Sequence, residues 1–291
     1  MRRIPESELI LNEDGSIYHL NLKPEHIADH VIFVGDQYRV PQVAENFDTI
    51  EADIQKREFR TIVGHYKGKK ITVMSTGIGP DNIDIALNEL DALVNIDFET
   101  RTIKPTLKSL NIVRIGTSGS LQKDIPVDSF LVSSHGLGLA GMIHAYDCES
   151  YFDKDIEDAF IKHTNWNMKR GRPYVVKGSE YLIDKLHQNG KTVSGITGTA
   201  NGFYGPQGRV LRLPLANPDL NHLMDSFSYK NFRVTNLEME TSAIYGLSAL
   251  LGHQACSINA IIANRANGTF SEDYQKTVKE LIQYTLDQLV K

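Results

Sequence analysis

The feature that most constrains the fold is an alternation of short apolar runs with segments of helical periodicity. Runs rich in β-branched residues predict strands, several of them buried on both faces, at 31–35, 70–76, 110–117, 128–134, 192–200, 232–238 and 255–264. Helices are predicted at 82–94, 179–190, 239–253 and 271–291. A hairpin turn is predicted at 66–70. Strands that alternate with helices indicate an α/β fold, and the hairpin makes its sheet mixed.

Length and composition indicate one globular unit. The chain has 291 residues, of which 41% are hydrophobic, and it contains no internal repeat and no linker rich in Pro, Gly or Ser. We therefore expect a single domain over residues 1–291, with residues 1–16 as an N-terminal extension. We also expect an irregular polar excursion at 95–110 and a mobile, glycine-rich loop at 135–147.

Charge and cysteine usage exclude several classes of protein. Lys and Arg number 31 against 36 Asp and Glu, so the net charge of -5 gives no reason to expect a nucleic-acid partner. No apolar run reaches the roughly 18 residues of a membrane helix, and the N-terminus lacks the apolar region of a secretory signal. Cys148 and Cys256 are the only cysteines, which is typical of a reducing compartment. We expect a cytoplasmic protein with no membrane partner.

Two carboxylates bracket a methionine where a predicted strand gives way to a helix. They are Glu238 and Glu240, on either side of Met239 in the stretch TNLEMETSAIYG. Acid in the first turn of a helix is common, because it faces the positive end of the helix dipole. That explanation accounts for one glutamate better than for a pair.

Glycine-rich turns follow three of the predicted strands, at 35–39, 76–80 and 116–120. Ligands of α/β sheets collect at the carboxyl ends of strands. Arg39 and Arg114 lie in or beside these turns, and a guanidinium with bare backbone N–H groups suits a phosphate. Glycine after a strand is more often only a turn, but an arginine inside an apolar strand needs a partner for its charge. The turns match neither the triphosphate-binding nor the dinucleotide-binding glycine spacing, so free orthophosphate fits better.

Several motifs together resemble the nucleoside phosphorylase-I family, and in particular its uridine-cleaving branch. They are HLNL (19–22), VGDQYRV (34–40), KREF (56–59), STGIG (75–79), RIGTSGSLQ (114–122), FYGPQGR (203–209), LEMET (237–241) and IIANR (261–265). Their order and approximate spacing match the family over residues 17–290. RIGT-S-G with a downstream EMET is specific to the family, and F-Y-x-x-Q-x-R is specific to the uridine branch.

The resemblance implies a fold and a reaction. The fold would be a single α/β domain with a central mixed, partly barrel-like β-sheet flanked by helices. The reaction would be phosphorolysis of uridine to uracil and ribose 1-phosphate, with deoxyuridine and thymidine as further candidate substrates. Orthophosphate would be the co-substrate, and no cofactor, catalytic metal or covalent nucleophile would be required. The chain would act as a homo-oligomer whose subunits share active sites.

The resemblance also implies roles for individual residues. Phosphate would be held by Gly35, Arg39, Arg114 and Thr117, with Arg57 reaching the site of a neighbouring subunit. Ribose would be held by Glu238, Met239 and Glu240, with His19 contacting the 5′-hydroxyl from across the dimer. The base would be bound by Phe203, Gln207, Arg209 and Gly119. Catalysis would depend on Arg114, Glu240, Arg209 and Gln207.

These roles agree with the chemistry of glycosidic C–N cleavage, which makes the sugar cation-like and the departing base anion-like. A carboxylate that grips the sugar hydroxyls favours the first change. Donors such as Gln207 and Arg209 favour the second, each being worth about 3 kcal/mol by analogy with oxyanion holes. A positioned phosphate attacks with little further loss of entropy.

Departures from the family pattern leave alternatives open. Purine-cleaving relatives place Ser-Asp where this chain has Ala263-Asn264, and the loss of that general acid indicates a pyrimidine base. A nucleosidase of the same fold would not need Arg39, Arg57 and Arg114 together. A non-catalytic nucleoside-binding protein is the third alternative. Some relatives bind a monovalent cation at the interface; here Glu58 could serve, but Asn82 replaces a common Ser ligand, so that cation stays open.

Overall fold

A 12-stranded mixed sheet runs through the computed structural model, which describes residues 2–291. The strands are β1 (His30–Val34), β2 (Thr49–Lys56), β3 (Phe59–Tyr66), β4 (Lys69–Ser75), β5 (Ile96–Asp97), β6 (Thr102–Ile103), β7 (Asn111–Ser120), β8 (Phe130–Gly138), β9 (Tyr174–Lys177), β10 (Thr192–Thr199), β11 (Ser228–Tyr229), β12 (Phe232–Glu238), β13 (Gln254–Asn264) and β14 (Thr269–Phe270). The helices are α1 (Arg39–Ala44), α2 (Pro80–Asn95), α3 (Lys154–Thr164), α4 (Glu180–Leu186), α5 (Leu220–Asp225), α6 (Thr241–Leu251) and α7 (Tyr274–Val290). Of these strands, β5 and β6 form a separate small hairpin.

Part of the large sheet closes on itself. Following hydrogen-bonded neighbours leads from β7 to β13, β8, β10 and β12, and β12 then pairs with β7 again through Asn236 and Leu237. From β7 the sheet also continues outward through β1, β4, β3 and β2. Parallel pairs such as β1–β7 and β7–β13 lie beside antiparallel pairs such as β8–β13. The predicted mixed, partly barrel-like sheet flanked by helices is therefore confirmed.

The central strands are buried on both faces, as their continuous apolar sequences predict. In β1, Val31 and Phe33 pack in the cluster that contains α2 and α6, whereas Ile32 and Val34 pack in the cluster that contains α1, α4 and α7. Successive side chains of a strand point to opposite faces, so the single run HVIFV packs against helices on both sides of the sheet. Packing on both faces holds the central strands in place, and residues at the ends of these strands contribute to the site described below.

Several local predictions are confirmed and others are wrong. The hairpin at 66–70 joins β3 to β4, with Lys67 and Gly68 both at positive φ. The excursion at 95–110 is irregular only in part, because it contains the short β5–β6 hairpin. The predicted loop at 135–147 is wrong in part: residues 135–138 extend β8, and Ile143 is fully buried in a short 3-10 helix.

The N-terminal segment is fastened to the β5–β6 hairpin by one arginine. Arg101 is buried, and its guanidinium donates to the carbonyl oxygens of Ile4 at 3.0 Å and Pro5 at 3.3 Å, and also to that of Leu9. The backbone N–H of Ile4 donates in turn to the Arg101 carbonyl at 2.8 Å. The polar excursion therefore organises the N-terminal extension. Among residues 2–291, no helix combines the length and the apolar character needed to cross a membrane.

The closed part of the sheet depends on a close approach of β10 to β12. A Cβ added to Gly195 would overlap the Thr235 side chain. We expect Gly195→Ala to lower the free energy of unfolding by about 1–3 kcal/mol, the usual cost of overpacking a core. Chemical denaturation would measure it, with Gly141→Ala as the control because a Cβ at that position would meet no atom within 4 Å. An unchanged free energy in Gly195→Ala would contradict the close approach.

Candidate active site

One cavity of about 650 Å³ collects most of the residues that the sequence singles out. Its wall includes Gly35, Arg39, Arg114, Thr117, Gly119, Phe203, Gln207, Arg209, Glu238, Met239 and Glu240. These residues come from β7, from the ends of β1 and β12, from the start of α1, and from the loop that follows β10. His19 and Arg57 do not line it.

Arg114 lies at the centre of the site and is almost completely buried. It donates to Asn259 Oδ1 from Nη1 at 2.9 Å, and its Nη2 lies 3.3 Å from Glu238 Oε2 and within hydrogen-bonding contact of Glu240 Oε2. Burial opposes its charge, but the two carboxylates outweigh burial and raise the pKa of Arg114. The guanidinium folds back over Gly116, where a Cβ would collide with it. Only glycine at 116 allows this arrangement.

Glu240 bridges Arg114 and the turn that precedes α2. Its Oε1 accepts a hydrogen bond at 2.9 Å from the backbone N–H of Gly79, a residue at positive φ. Burial, followed by the neighbouring Glu238, raises the pKa of Glu240, while Arg114 acts in the opposite direction. The Glu240 carboxylate lies on the cavity wall beside Arg114, where it can also accept from hydroxyl groups of a ligand.

Glu238 is engaged by the protein on both of its oxygens. Oε1 accepts from the Thr199 hydroxyl at 2.6 Å, and Oε2 accepts from the backbone N–H of Glu240 at 2.9 Å. The N–H of Thr241, the first residue of α6, lies within 3.1 Å of both oxygens. Glu238 therefore satisfies free N–H groups at the start of α6. That holds Glu240 in place and leaves Glu238 less free than Glu240 to bind a ligand.

The other guanidinium at this end of the cavity belongs to Arg39, at the start of α1. Burial, and then repulsion by Arg114, lower its pKa, with partial compensation from Asp36 and Glu240. Two guanidinium groups that repel each other on one cavity wall would both be stabilised by an anion bound between them. Gly35 and Thr117 lie on the same wall and offer close backbone approach and a hydroxyl.

Gln207, Arg209 and Phe203 form one contact group at the other side of the cavity. Arg209 donates at 2.6 Å both to Gln207 Oε1 and to the Phe203 carbonyl, and its guanidinium stacks 3.9 Å from the Phe203 ring centre. Burial lowers the pKa of Arg209. Gln207 is almost completely buried, so its side chain is held by this loop rather than by solvent.

Arg265 belongs to the same region, although the sequence predictions assigned it no role. Its Nη1 donates to the Gln207 carbonyl at 2.6 Å. Burial, and then repulsion by Arg209, lower its pKa to about 10. Within residues 2–291, neither Arg209 nor Arg265 has a carboxylate within ion-pair distance. The motif IIANR contained the signal, since an arginine directly after a buried strand needs a counter-charge or a ligand.

His19 and Arg57 lie elsewhere in this chain. Glu89 accepts from the backbone N–H groups of His19 and Leu20 and lies 2.6 Å from His19 Nδ1. Arg57 is exposed in the β2–β3 turn at a φ of 55°. Their assignment to a partner's site stays a prediction.

The position of the purine-cleaving acid is occupied by an inward-facing amide. Asn264 is buried, and its Nδ2 donates to the carbonyls of Gln122 at 2.9 Å and Ile125 at 2.7 Å. Its neighbour Ala263 lines the cavity instead. In the described part of the chain, the end of β13 therefore places no carboxylic acid in the cavity.

Two further glycine-rich and polar features can be placed. Residues 136–141 carry the spacing G-x-G-x-x-G, but they end β8 and lead into a short 3-10 helix rather than the α-helix of a dinucleotide site. Glu58 and Asn82 both line the cavity beside Gly77. No cluster of three or more His, Cys, Asp or Glu suited to a metal ion occurs within residues 2–291.

Removing the central cation should destabilise the protein in a pH-dependent way. Arg114→Met leaves Glu238 and Glu240 buried without their counter-ion, which typically costs about 3–5 kcal/mol. The folded-state pKa of Glu240 is already raised and should rise further. When the pKa of an acid is higher in the folded than in the unfolded state, the free energy of unfolding falls as pH increases above the unfolded pKa.

The loss in free energy of unfolding caused by Arg114→Met should therefore be larger at pH 8 than at pH 5. Denaturant unfolding at both pH values measures it. Arg2→Met is the control, because Arg2 makes only an exposed ion pair with Glu8. An equal deficit at both pH values would contradict the burial of uncompensated carboxylates.

Comparison with known proteins agrees with this geometry. The family model described as the phosphorylase superfamily matches residues 29–291. The chain is 29% identical to a uridine phosphorylase of Thermococcus kodakarensis, over 91% of this chain and 83% of the relative. It is 26% identical to a DeoD-type purine nucleoside phosphorylase of Bacillus cereus, over 94% of this chain and 98% of the relative. A crystal structure of a Trypanosoma brucei nucleoside phosphorylase, described as showing uridine phosphorylase activity, superposes with a TM-score of 0.87 at 29% identity, covering 97% of this chain and 99% of that one.

Proposed function

The chain belongs to the phosphorylase superfamily, and we propose that it cleaves uridine with orthophosphate to give uracil and ribose 1-phosphate. The observation that supports this most strongly is the composition of the 650 Å³ cavity. It combines the cations Arg39 and Arg114, the carboxylate Glu240 in contact with Arg114, and the Gln207–Arg209 pair. The cations suit phosphate, the carboxylate suits the ribose hydroxyls, and the Gln207–Arg209 pair suits the pyrimidine edge.

At the phosphate wall, Arg39 and Arg114 would orient the nucleophile, assisted by Gly35 and Thr117. Burial and then repulsion by Arg114 lower the pKa of Arg39, and an anion bound between the two guanidinium groups would oppose both effects. A phosphate fixed in this position attacks the anomeric carbon with its orientation already set, which removes much of the entropic barrier.

At the ribose wall, Glu240 and the backbone around Met239 would bind the sugar hydroxyls. A carboxylate here becomes more favourable as positive charge develops on the ribose in the transition state. Glu238 would contribute mainly by holding Glu240 and the start of α6, since its own oxygens accept from Thr199 and from backbone N–H groups.

At the base wall, Gln207 and Arg209 would bind the uracil edge, with Phe203 and Gly119 beside it. The leaving base departs as an anion, so donors without a competing carboxylate stabilise it more effectively. Arg265 adds a second uncompensated guanidinium behind Gln207.

The geometry favours a pyrimidine phosphorylase over the alternatives, although purine phosphorylases share the fold. A purine leaving group requires an acid near its ring nitrogen, and Asn264 faces the protein interior instead. A nucleosidase would activate water and would not need Arg39 beside Arg114. A non-catalytic binding protein would not need a carboxylate paired with the phosphate-binding arginine.

We propose further that the active enzyme is a cytoplasmic homo-oligomer that acts in pyrimidine nucleoside salvage, with His19 and Arg57 contributed to a partner's site. Both are outside the cavity of their own chain, which is what a shared site requires. The two cysteines are free and buried, consistent with a reducing compartment. Orthophosphate would be the only co-substrate, and a monovalent cation near Glu58 would be optional.

Uridine turnover with and without phosphate tests the proposed function. We expect uracil release that depends on phosphate and yields ribose 1-phosphate in equal amount, measured by chromatography. Release without phosphate would identify a nucleosidase. Uridine-induced thermal stabilisation without turnover would identify a binding protein, and faster cleavage of inosine than uridine would identify a purine enzyme.

Replacing the proposed ribose carboxylate tests its role in catalysis. Glu240→Gln keeps the shape of the side chain but removes the charge that favours the cation-like sugar, so we expect kcat to fall by about 10²-fold or more. Phosphate binding, measured by calorimetry, should remain within a few-fold of the original. Glu272→Gln, at an exposed position outside the cavity, is the matched control. Full activity in Glu240→Gln would exclude the assignment.

A further inference from the structure

A second cavity, of about 840 Å³, lies between the C-terminal end of α3 and the loop that follows β10. Its apolar wall is formed by Leu139, Trp166, Leu211, Leu213 and Leu220, among others. Leu211 is 79% exposed and Leu213 is 70% exposed, so this wall is not satisfied by packing within the chain. A cavity of this size falls in the range of small-molecule sites, about 300–1,000 Å³.

The charge of this second cavity is one-sided. Lys169, Arg170, Arg209 and Arg212 line it, and no Asp or Glu does. Over residues 2–291, none of these cations lies within ion-pair distance of a carboxylate. The chain as a whole carries a net charge of -5, so a cluster of unpaired cations is not a consequence of its composition.

Arg170 is the cation most firmly built into the wall. Its guanidinium lies 4.3 Å from the Trp166 ring centre, and its Nη2 donates to the Pro206 carbonyl at 3.2 Å. Burial lowers its pKa, and no acid compensates. One carbonyl occupies one of its donors, which leaves the remaining N–H groups for a ligand.

We propose that this second cavity binds a small organic anion with an apolar body, whose charged head meets Arg170 and Arg212 and whose body lies on Trp166 and Leu211. Guanidinium groups with free donors match carboxylate, sulfonate and phosphate ester heads. The exposed leucines would be covered by the apolar body. The proposal does not depend on uridine cleavage, and it concerns residues other than those that hold uridine and phosphate, except for Arg209, which lines both cavities.

Trp166 makes the test direct, because it is the only tryptophan of the chain. We would titrate the full-length protein with 4-phenylbutyrate, exciting at a wavelength that spares tyrosine, and repeat the titration with the uncharged 4-phenylbutanol. We expect a saturable change in Trp166 emission with the carboxylate and at least about tenfold weaker binding of the alcohol. Calorimetry should give the same affinity as fluorescence.

Two variants locate the site. Arg170→Met and Arg212→Met should each weaken 4-phenylbutyrate binding about tenfold or more by calorimetry, which does not depend on the altered surroundings of Trp166. Lys279→Met removes one cation from an exposed position on α7 outside both cavities and should bind normally. Arg212→Met is the safer folding variant, because Arg212 is exposed and donates no hydrogen bond within the described chain.

Three outcomes would overturn the proposal. The first is equal binding of the carboxylate and the alcohol, which would indicate an apolar site only. The second is normal binding in both variants with loss in Arg114→Met, which would place the anion in the uridine cavity. The third is no binding together with a changed oligomeric state of Arg212→Met by light scattering, which would make this surface a contact between copies of the chain.

Discussion

The buried contact of Arg114 with Glu238 and Glu240 is the interaction on which the rest of the site depends. A guanidinium in this position loses its hydration, and only paired carboxylates make its burial tolerable. The pairing joins β7, which supplies Arg114, to the β12–α6 junction, which supplies the acids. The positions of Arg114, Glu238 and Glu240 therefore depend on one another, although they come from different strands.

The closed part of the sheet explains how residues far apart in sequence meet. Because β12 pairs with both β10 and β7, the Glu238–Glu240 segment is brought against the end of β7. The Thr199 hydroxyl at the end of β10 then reaches Glu238, so a third strand supports the acids. An open sheet with the same strands would leave these ends on separate edges.

Much of the fold could be predicted from the sequence because strong local patterns agreed with the tertiary structure. The predicted strand at 232–238 coincides with β12, and the central runs were buried on both faces as expected. The strand β2 and the helix α3 were not predicted. β2 is an edge strand with a polar, alternating sequence. The helix α3 follows its N-cap residue Asp153, whose carboxylate accepts from the Ile156 N–H, a contact that is visible only with the structure.

The sequence indicated which residues lie at the site better than it indicated which of them are already engaged by hydrogen bonds within the protein. The turns at strand ends pointed to Arg39 and Arg114, the family resemblance added Glu240, and all three side chains line one cavity. Neither could distinguish Glu238 from Glu240. That difference arises from the turn between β12 and α6, which aims the N–H groups of Glu240 and Thr241 at Glu238, and from the Thr199 hydroxyl on β10. Arg265 was given no role although its place directly after a buried strand was a signal, because its partner, the main-chain carbonyl of Gln207, could not be identified from the sequence.

Gly116 offers a practical criterion for sorting related sequences. Because the Arg114 side chain occupies the space that a Cβ at 116 would take, an arginine in this conformation requires glycine two positions later. A homologue that retains the arginine but carries alanine or a larger residue two positions later must aim its guanidinium elsewhere. Such a sequence would share the architecture without this arrangement of arginine and paired carboxylates, and the Arg-x-Gly spacing separates the two groups.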